Sequence, residues 1–350
     1  MRRRSVISMM LVCLCALLSV STLPLSAQTR VADGWFRYTP FGHSLLADVH
    51  PDLVRMDIAA NTNHPTYDYT QGGKQYRTTT LTMFGLSLPI WTGQVVDERF
   101  YLNVKMTLSA SLWMDLFEST TSPITNTDFR VSLPTWTFMH QCRLGFMKNY
   151  SVAWSPFKHE STHIGDELLL QHVDQGYPLR RVNVSYNYTE LQFTVNETAD
   201  RYSSNHCLRA GVMILLSPKR GWYFIEQRDG DESLAQPRLS PWEAYVQYQY
   251  QSDTSPHGFQ AVVSAELRNR AIYGYPVFSF DGQTLSSKEQ KEKRRFTYNI
   301  FAGVRYNTPN YDGYFSRFAF GIRAYHGNCP HGQFRNIDNF SQIGACLIFE

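Results

Sequence analysis

The densest group of reactive side chains in this sequence is the run from His159 to Glu167, HESTHIGDE. It combines two imidazoles, a serine hydroxyl and several carboxylates. Three kinds of site use these residue types at such spacings: a zinc peptidase, a serine ester hydrolase and a structural hydrogen-bonded network. Each requires a different local backbone, so the secondary structure of the run decides among them.

The zinc-peptidase interpretation rests on the H-E-x-x-H pattern of His159, Glu160 and His163. That chemistry needs a helix, because helical spacing places two histidines four residues apart on one face, with the glutamate as general base. Pro156 and Gly165 flank the pattern closely and disfavour a long helix. The sequence therefore favours no metal site, and it predicts no cofactor.

The second interpretation is ester hydrolysis by His159 and Ser161. In an extended strand, residues i and i+2 share a face, so the imidazole can act as a base beside the hydroxyl. The pair resembles the His-x-Ser strand motif of the outer-membrane phospholipase and lipid A deacylase barrels, in which a later Asn or Glu orients the histidine. The resemblance implies His159 as base and Ser161 as nucleophile. At the expected place of the orienting residue, twelve positions after the serine, the chain has Val173.

The third interpretation is structural, and the sequence favours it. His163, Asp166 and Glu167 would form a hydrogen-bonded network at a strand end, where Gly165 would supply a bend or a bulge. A metal-binding version of this network, through His159, His163 and Asp166, stays open.

Long strands are the elements predicted to hold this run. Every even position from Phe100 to Leu116 is apolar and the odd positions are mostly polar, which is the period of a strand. A tilted strand that crosses a bilayer needs about 9–11 residues, and this stretch exceeds that length. Similar alternation recurs at Trp242–Tyr250 and Phe296–Tyr306. We therefore predict an all-β fold, a transmembrane antiparallel β-barrel of about 12 strands, within a range of about 10 to 14.

The segment Val182–Val195 changes phase. Its apolar residues lie at even positions up to Tyr188 and at odd positions from Leu191 onward. A switch of parity across two residues predicts a tight hairpin at Thr189-Glu190.

The flanking segments and the charge indicate an exported envelope protein. Three arginines at Arg2–Arg4, an apolar run and a small residue at Ala27 predict a signal peptide over Met1–Ala27. Residues 28–75 show little periodicity and are predicted to be an irregular lead-in or plug, with the barrel at 76–350. Removal of the three arginines takes the formal net charge from +3 to 0, which disfavours nucleic acid as a partner. No apolar run approaches the length of a membrane-spanning helix, about 18 residues.

Four cysteines follow the predicted signal peptide, and an oxidising compartment would permit disulfides between them. Their spacing favours none of the three possible pairings, and unpaired thiols are equally compatible with the sequence. The four are Cys142, Cys207, Cys329 and Cys346.

A broader resemblance spans most of the chain. Trp154–Leu169 resembles the His-x-Ser-Ser-His-x-Gly-Asp-Glu signature of a bacterial envelope family catalogued only as a domain of unknown function. Gly327–Phe334 is similar to the Gly-x-x-Pro-x-Gly-Gln-Phe segment of that family, and Leu46-Ala47-Asp48 is similar to its Leu-Ala-Asp lead-in. Membership implies a secreted, β-rich envelope protein and no established activity.

Together these observations predict an outer-membrane β-barrel protein of a Gram-negative bacterium, with outer-membrane lipid as a partner. The leading hypothesis is a non-enzymatic role, in passage or binding of a small or polymeric solute or in envelope structure. The alternative is an outer-membrane lipid esterase or deacylase. That alternative requires His159 and Ser161 to face lipid near the outer interface, with a third polar partner. Because neither face of the segment around them is apolar, we expect it to lie off the hydrocarbon core.

Overall fold

The computed structural model describes residues 34–36, 44–51, 53–62, 76–95, 99–115, 124–165, 182–197, 202–217, 222, 224–225, 240–273, 292–308, 317–335 and 339–350. The predicted signal peptide, and Asp166 and Glu167 of the predicted polar network, lie outside these ranges.

Twelve long strands form the body of the molecule. In chain order they are β2 (Val54–Thr62), β3 (Tyr76–Gln94), β4 (Phe100–Asp115), β5 (Ile124–Leu144), β6 (Met147–Ile164), β8 (Ser185–Val195), β9 (Asn205–Leu215), β11 (Trp242–Gln251), β12 (Phe259–Tyr273), β13 (Glu292–Asn307), β14 (Arg317–Gly327) and β15 (Phe340–Phe349). The shorter elements are β1 (Gly34–Trp35), β7 (Val182–Asn183), β10 (Phe224–Ile225) and a 3₁₀ helix at Gly332–Phe334.

The twelve strands close into a cylinder. Each pairs in antiparallel fashion with the long strands before and after it, and β15 pairs with β2 from Phe349 opposite Val54 to Ser341 opposite Thr62. Closure removes the free sheet edges, which is the condition for strands to cross a lipid bilayer. The predicted antiparallel β-barrel of about 12 strands is therefore confirmed.

The barrel begins earlier in the chain than the sequence analysis placed it. Strand β2 lies within residues 28–75, the span predicted as a lead-in, and barrel pairing starts at Val54 instead of residue 76. The inward positions of β2 include Arg55 and Asp57, which form an ion pair with each other at 3.3 Å. The alternation of these charged residues with apolar ones is the period of a strand, but it is confined to nine residues.

The predicted hairpin at Thr189-Glu190 is wrong. Strand β8 runs unbroken through these residues, and its even positions face inward along its length. The change of phase has another cause: Tyr186 and Tyr188 are apolar residues that pack inside the barrel, whereas Leu191 faces outward.

The described interior of the barrel is polar and filled. Ion pairs between nearby strands line it, among them Arg323 with Asp57 at 2.8 Å and Lys158 with Glu190 at 2.7 Å. The segment before β2 also lies inside, where the backbone N–H groups of Leu46 and Ala47 donate to Gln249 and Ser264. A polar cavity among the described inward residues has a volume of about 50 Å³, which is room for a few water molecules.

The two ends of the barrel differ in the length of their connections. Gly145 and Phe146 alone join β5 to β6, whereas residues 63–75 and 274–291 connect strands at the opposite end. Outer-membrane barrels carry short turns on the periplasmic side and longer loops outside. From this rule we expect the end with the long connections, toward which β6 runs, to be the external one.

The four cysteines at 142, 207, 329 and 346 are free thiols. Three of them are buried, and Cys142 is partly exposed. Within the described ranges, no helix is long and apolar enough to cross a membrane.

Candidate functional site

A β-bulge in β6 determines which way His159 and Ser161 face. The pairing of β6 with β8 shifts by one residue between Ser155 and Lys158, so Pro156 and Phe157 share a place that one residue would normally fill. Proline is accommodated within sheets mainly at edges and bulges, because it lacks the ladder N–H. A one-residue shift moves every following side chain to the other face. Without the bulge, both candidate residues would point into the lumen.

Beyond the bulge, His159 and Ser161 face outward. Both are half-buried, whereas Glu160 and Thr162 between and after them are buried on the inward side. The Cα atoms of the two candidate residues are therefore about 6.6 Å apart along the strand. No hydrogen bond joins the two side chains among the described contacts, and catalytic hydrogen bonds often tighten only when substrate binds.

Asn187 on β8 is the third polar partner. It lies directly opposite His159 in the β6–β8 register, and its Oδ1 atom is 2.7 Å from Nδ1 of the imidazole. An amide oxygen only accepts hydrogen bonds, so Nδ1 carries the proton and Nε2 presents its lone pair. We call His159, Ser161 and Asn187 the outward-facing triad.

The neighbouring outward residues are apolar on one side of the triad and polar on the other. On β5, Val131 pairs with His159 and Phe129 pairs with Ser161, and 45% of Phe129 is exposed. On β8, Ser185 pairs with Ser161. The expectation that this segment lies off the hydrocarbon core stays a prediction, and the structure adds that the adjacent strand β5 is apolar beside it.

The remaining members of the predicted polar network lie at the end of β6. His163 is exposed on the outward face, where its ring meets the edge of Phe129 with 6.0 Å between centroids. Gly165 permits a close approach of chains: its N–H donates to the carbonyl of Thr125, and a Cβ there would lie 1.5 Å from the carbonyl oxygen of Ile124. Since Asp166 and Glu167 lie outside the described ranges, the network of His163, Gly165, Asp166 and Glu167 stays a prediction.

The zinc-peptidase interpretation is wrong. His159, Glu160 and His163 lie on a strand, where residues four apart are separated by about 13 Å. Glu160 points into the lumen and pairs with Arg130 at 3.4 Å, on the face opposite the histidines. Three such side chains cannot hold one ion, and the described residues contain no cluster of three or more potential metal ligands.

Comparison with known proteins yields structural neighbours. No protein-family model matches the chain, and neither does any curated protein sequence. Outer membrane phospholipase A from Escherichia coli is similar in structure, with 10% identity, a TM-score of 0.41 and coverage of 85% of this chain and 90% of that chain. LpxR from Salmonella typhimurium has 8% identity and a TM-score of 0.33, with 84% of this chain and 99% of that chain covered. A FadL homologue from Pseudomonas aeruginosa has 10% identity and a TM-score of 0.33, with coverage of 85% and 87%.

The chain is a closed antiparallel β-barrel of twelve strands. Because the identities to these neighbours are so low, the chemistry of this barrel has to come from its own residues. Its predicted membership in the envelope family of unknown function stays a prediction, because no family model matches.

The segment Gly327–Phe334, which carries the Gly-x-x-Pro-x-Gly-Gln-Phe resemblance, packs on the inward side of the barrel wall behind the triad. The Gly332 N–H donates to Oδ1 of Asp128 at 3.2 Å, and a Cβ on Gly332 would lie 2.7 Å from Cγ2 of Thr162. Thr162 follows Ser161 and is tied to Asn126 by a hydrogen bond of 2.9 Å. The segment around Gly332 therefore braces the inward face of β6 at the level of the serine.

A second pair of histidine and serine lies on the outward face of the barrel. His326 at the end of β14 and Ser341 at the start of β15 are joined by a hydrogen bond of 2.7 Å between Nδ1 and Oγ. In this pair the Nδ1 atom is bonded to the serine itself, so it is not available to an orienting amide. The pair provides a natural comparison for the triad.

Sequence reasoning missed Asn187. The search for an orienting residue covered the stretch just after the serine, whereas the partner lies 28 residues beyond His159 on the next long strand. A signal for it was present: in β8 the outward positions Ser185, Asn187 and Thr189 are all polar, although they face away from the lumen.

Proposed function

We propose that this outer-membrane barrel hydrolyses acyl esters of lipids at the external end of its surface, with Ser161 as nucleophile. The observation that carries the proposal is the 2.7 Å contact between His159 Nδ1 and Asn187 Oδ1, on the same outward face as the serine. An imidazole, a hydroxyl and an amide in adjacent outward positions are the groups that nucleophilic ester hydrolysis uses as base, nucleophile and orienting partner.

The proposed reaction follows the roles of the three side chains. Asn187 holds the imidazole so that Nε2 of His159 faces the serine, and Nε2 takes the hydroxyl proton as Oγ of Ser161 bonds to the ester carbonyl carbon. The bond from that carbon to the alcohol oxygen breaks, and the alcohol leaves with the proton from Nε2. A water molecule then attacks the acyl-serine with the same base, which releases the fatty acid and restores Ser161.

The filled lumen supports this role over passage of a solute. Buried ion pairs and the segment around Leu46 occupy the described interior, and the polar cavity of about 50 Å³ among its residues is smaller than a typical ligand pocket of about 300 Å³ or more. The leading hypothesis from sequence, solute passage or binding, draws no support from this interior. Outer-membrane lipid, the other expected partner, is the substrate in our proposal.

Purified barrel in detergent micelles provides the test. We expect the wild type to hydrolyse 4-nitrophenyl esters and phospholipids, and Ser161→Ala to lower kcat by at least about 10³-fold. Ser341→Ala is the matched control, because it removes a serine that also faces outward beside a histidine.

The control variant should retain wild-type kcat. Equal hydrolysis by the wild type and Ser161→Ala, with both proteins folded as judged by heat-modifiable gel mobility, would exclude the proposed function.

A further inference from the structure

An apolar groove runs along the outward face of the barrel from β3 to His159 of the triad. Its volume is about 420 Å³, and it is lined by side chains of β3, β4 and β5 with His159 at one end. Its walls are Phe84 and Phe129, of which 55% and 45% are exposed. The groove lies on one barrel and needs no second molecule to form it.

One small residue creates the groove. Ala110 lies between the two rings, opposite Phe84 in the β3–β4 register and opposite Phe129 in the β4–β5 register. The other outward positions of β4 carry large apolar side chains such as Leu108 and Leu112. The single alanine therefore leaves a depression where a continuous apolar surface would otherwise face lipid.

The register connects this depression with the nucleophile. Phe129 pairs with Ser161, so Ala110 and the serine share one row across the strands, two strand spacings or about 10 Å apart. The adjacent row, which contains Leu108, Val131 and His159, lies farther from the external end of the barrel. An ester carbonyl at Ser161 would thus have its acyl chain leading into the groove and toward the middle of the bilayer.

We propose that this groove binds the acyl chain of the ester cleaved at Ser161, and that Ala110 sets its capacity. The inference rests on the proposed function and assigns the substrate class: esters of long-chain fatty acids, held by the chain as well as by the carbonyl. His159 lines the groove and belongs to the triad, so an acyl chain bound in the groove would end beside the catalytic base. A short acyl chain would reach the serine without filling the groove.

Substitution of Ala110 tests this assignment. In the same detergent micelles, Ala110→Trp should lower kcat/KM for 4-nitrophenyl palmitate by about tenfold, and it should change that for 4-nitrophenyl butyrate by less than about twofold. Ala110→Leu fills the groove in part and keeps the test available if the tryptophan variant does not fold. For that variant we expect a smaller loss, again confined to the palmitate ester.

Ala324→Trp is the matched control. Ala324 is also an outward alanine between two apolar residues, Ile300 and Ile343, but β14 lies six strands from β6. This variant should keep the wild-type ratio of palmitate to butyrate hydrolysis.

The outcomes separate the two proposals. If Ser161→Ala abolishes hydrolysis of both esters and Ala110→Trp leaves their ratio unchanged, the groove assignment is wrong and the esterase stands. An equal loss for both esters in a folded Ala110→Trp protein also contradicts the groove. If Ser161→Ala hydrolyses both esters like the wild type, the esterase proposal fails, and the groove assignment fails with it.

Discussion

Nδ1 of His159 and Oδ1 of Asn187 are 2.7 Å apart on the outward face of two adjacent strands. The bond depends on two features of the barrel: the bulge at Pro156, which turns His159 outward, and the β6–β8 register, which places Asn187 opposite it. In the proposed mechanism, both features are needed for the imidazole to serve as the base of Ser161.

Removal of this bond should slow catalysis without unfolding the protein. We expect Asn187→Ala to lower kcat on 4-nitrophenyl butyrate about 10- to 100-fold, because the imidazole loses the acceptor that selects its tautomer and orientation. Asn187→Asp, which keeps an acceptor oxygen at this position, should recover most of the rate.

Thr189→Ala is the control for Asn187. Thr189 also faces outward from β8, but it contacts Nε1 of Trp154 at 3.1 Å and not the histidine. Its kcat should equal that of the wild type, and an unchanged kcat in Asn187→Ala would argue against an orienting role.

Glu160→Gln should separate stability from catalysis. The carboxylate is buried and pairs with Arg130 at 3.4 Å on the lumen side. Loss of its charge should lower the free energy of unfolding by about 1–3 kcal/mol, measured by urea titration in micelles, because Arg130 stays buried with a weaker partner. Ester hydrolysis at 25 °C should stay at the wild-type level. A collapse of kcat in a folded Glu160→Gln protein would indicate that this residue takes part in the chemistry.

Two glycines at opposite ends of β6 should respond differently to alanine. A Cβ on Gly165 would lie 1.5 Å from the carbonyl oxygen of Ile124, so β5 and β6 would have to separate at the external end. We expect Gly165→Ala to lower the free energy of unfolding by at least about 3 kcal/mol.

Gly145→Ala provides the comparison. A Cβ at Gly145 would meet nothing within 4 Å. We expect Gly145→Ala to lower the free energy of unfolding by about 1–2 kcal/mol, because alanine disfavours the left-handed backbone at φ 58°. Equal losses at the two positions in urea titrations would show that close approach at Gly165 is unimportant.

Channel recordings should distinguish the filled lumen from a pore. Buried ion pairs such as Arg323 with Asp57 and the segment around Leu46 occupy the described interior, and we expect no steady single-channel conductance from the wild type in planar bilayers. Regular conductance steps in the wild type would instead favour solute passage, the leading hypothesis from sequence.

The strands were largely predictable because their outward side chains must be apolar. The alternation in β4 predicts its face and its length, and the structure places Leu108 outward and Lys105 inward as expected. Strand β2 was missed although its outward residues Met56 and Ile58 are apolar and flank the inward Asp57. Its alternation covers nine residues, against sixteen in β4, and the signal of a single short barrel strand is weak.

The candidate site was only half predictable. Proximity along the chain pairs His159 with Ser161 once the backbone is known to be extended, but the same residues also fit a helical zinc motif. The parity change in β8 was interpreted as a hairpin, although it reflects Tyr186 facing inward and leaves Asn187 on the outward face.

By itself, the sequence determined the all-β barrel architecture, since a period of two repeated in long segments suits only strands with one apolar face. It also determined which residue types were available for chemistry. Only the tertiary structure decided that His159 and Ser161 face outward and that Asn187 is their partner. The physical reason is register: a single extra residue at Pro156 reverses the face of everything after it, and the pairing of β6 with β8 joins residues 28 positions apart.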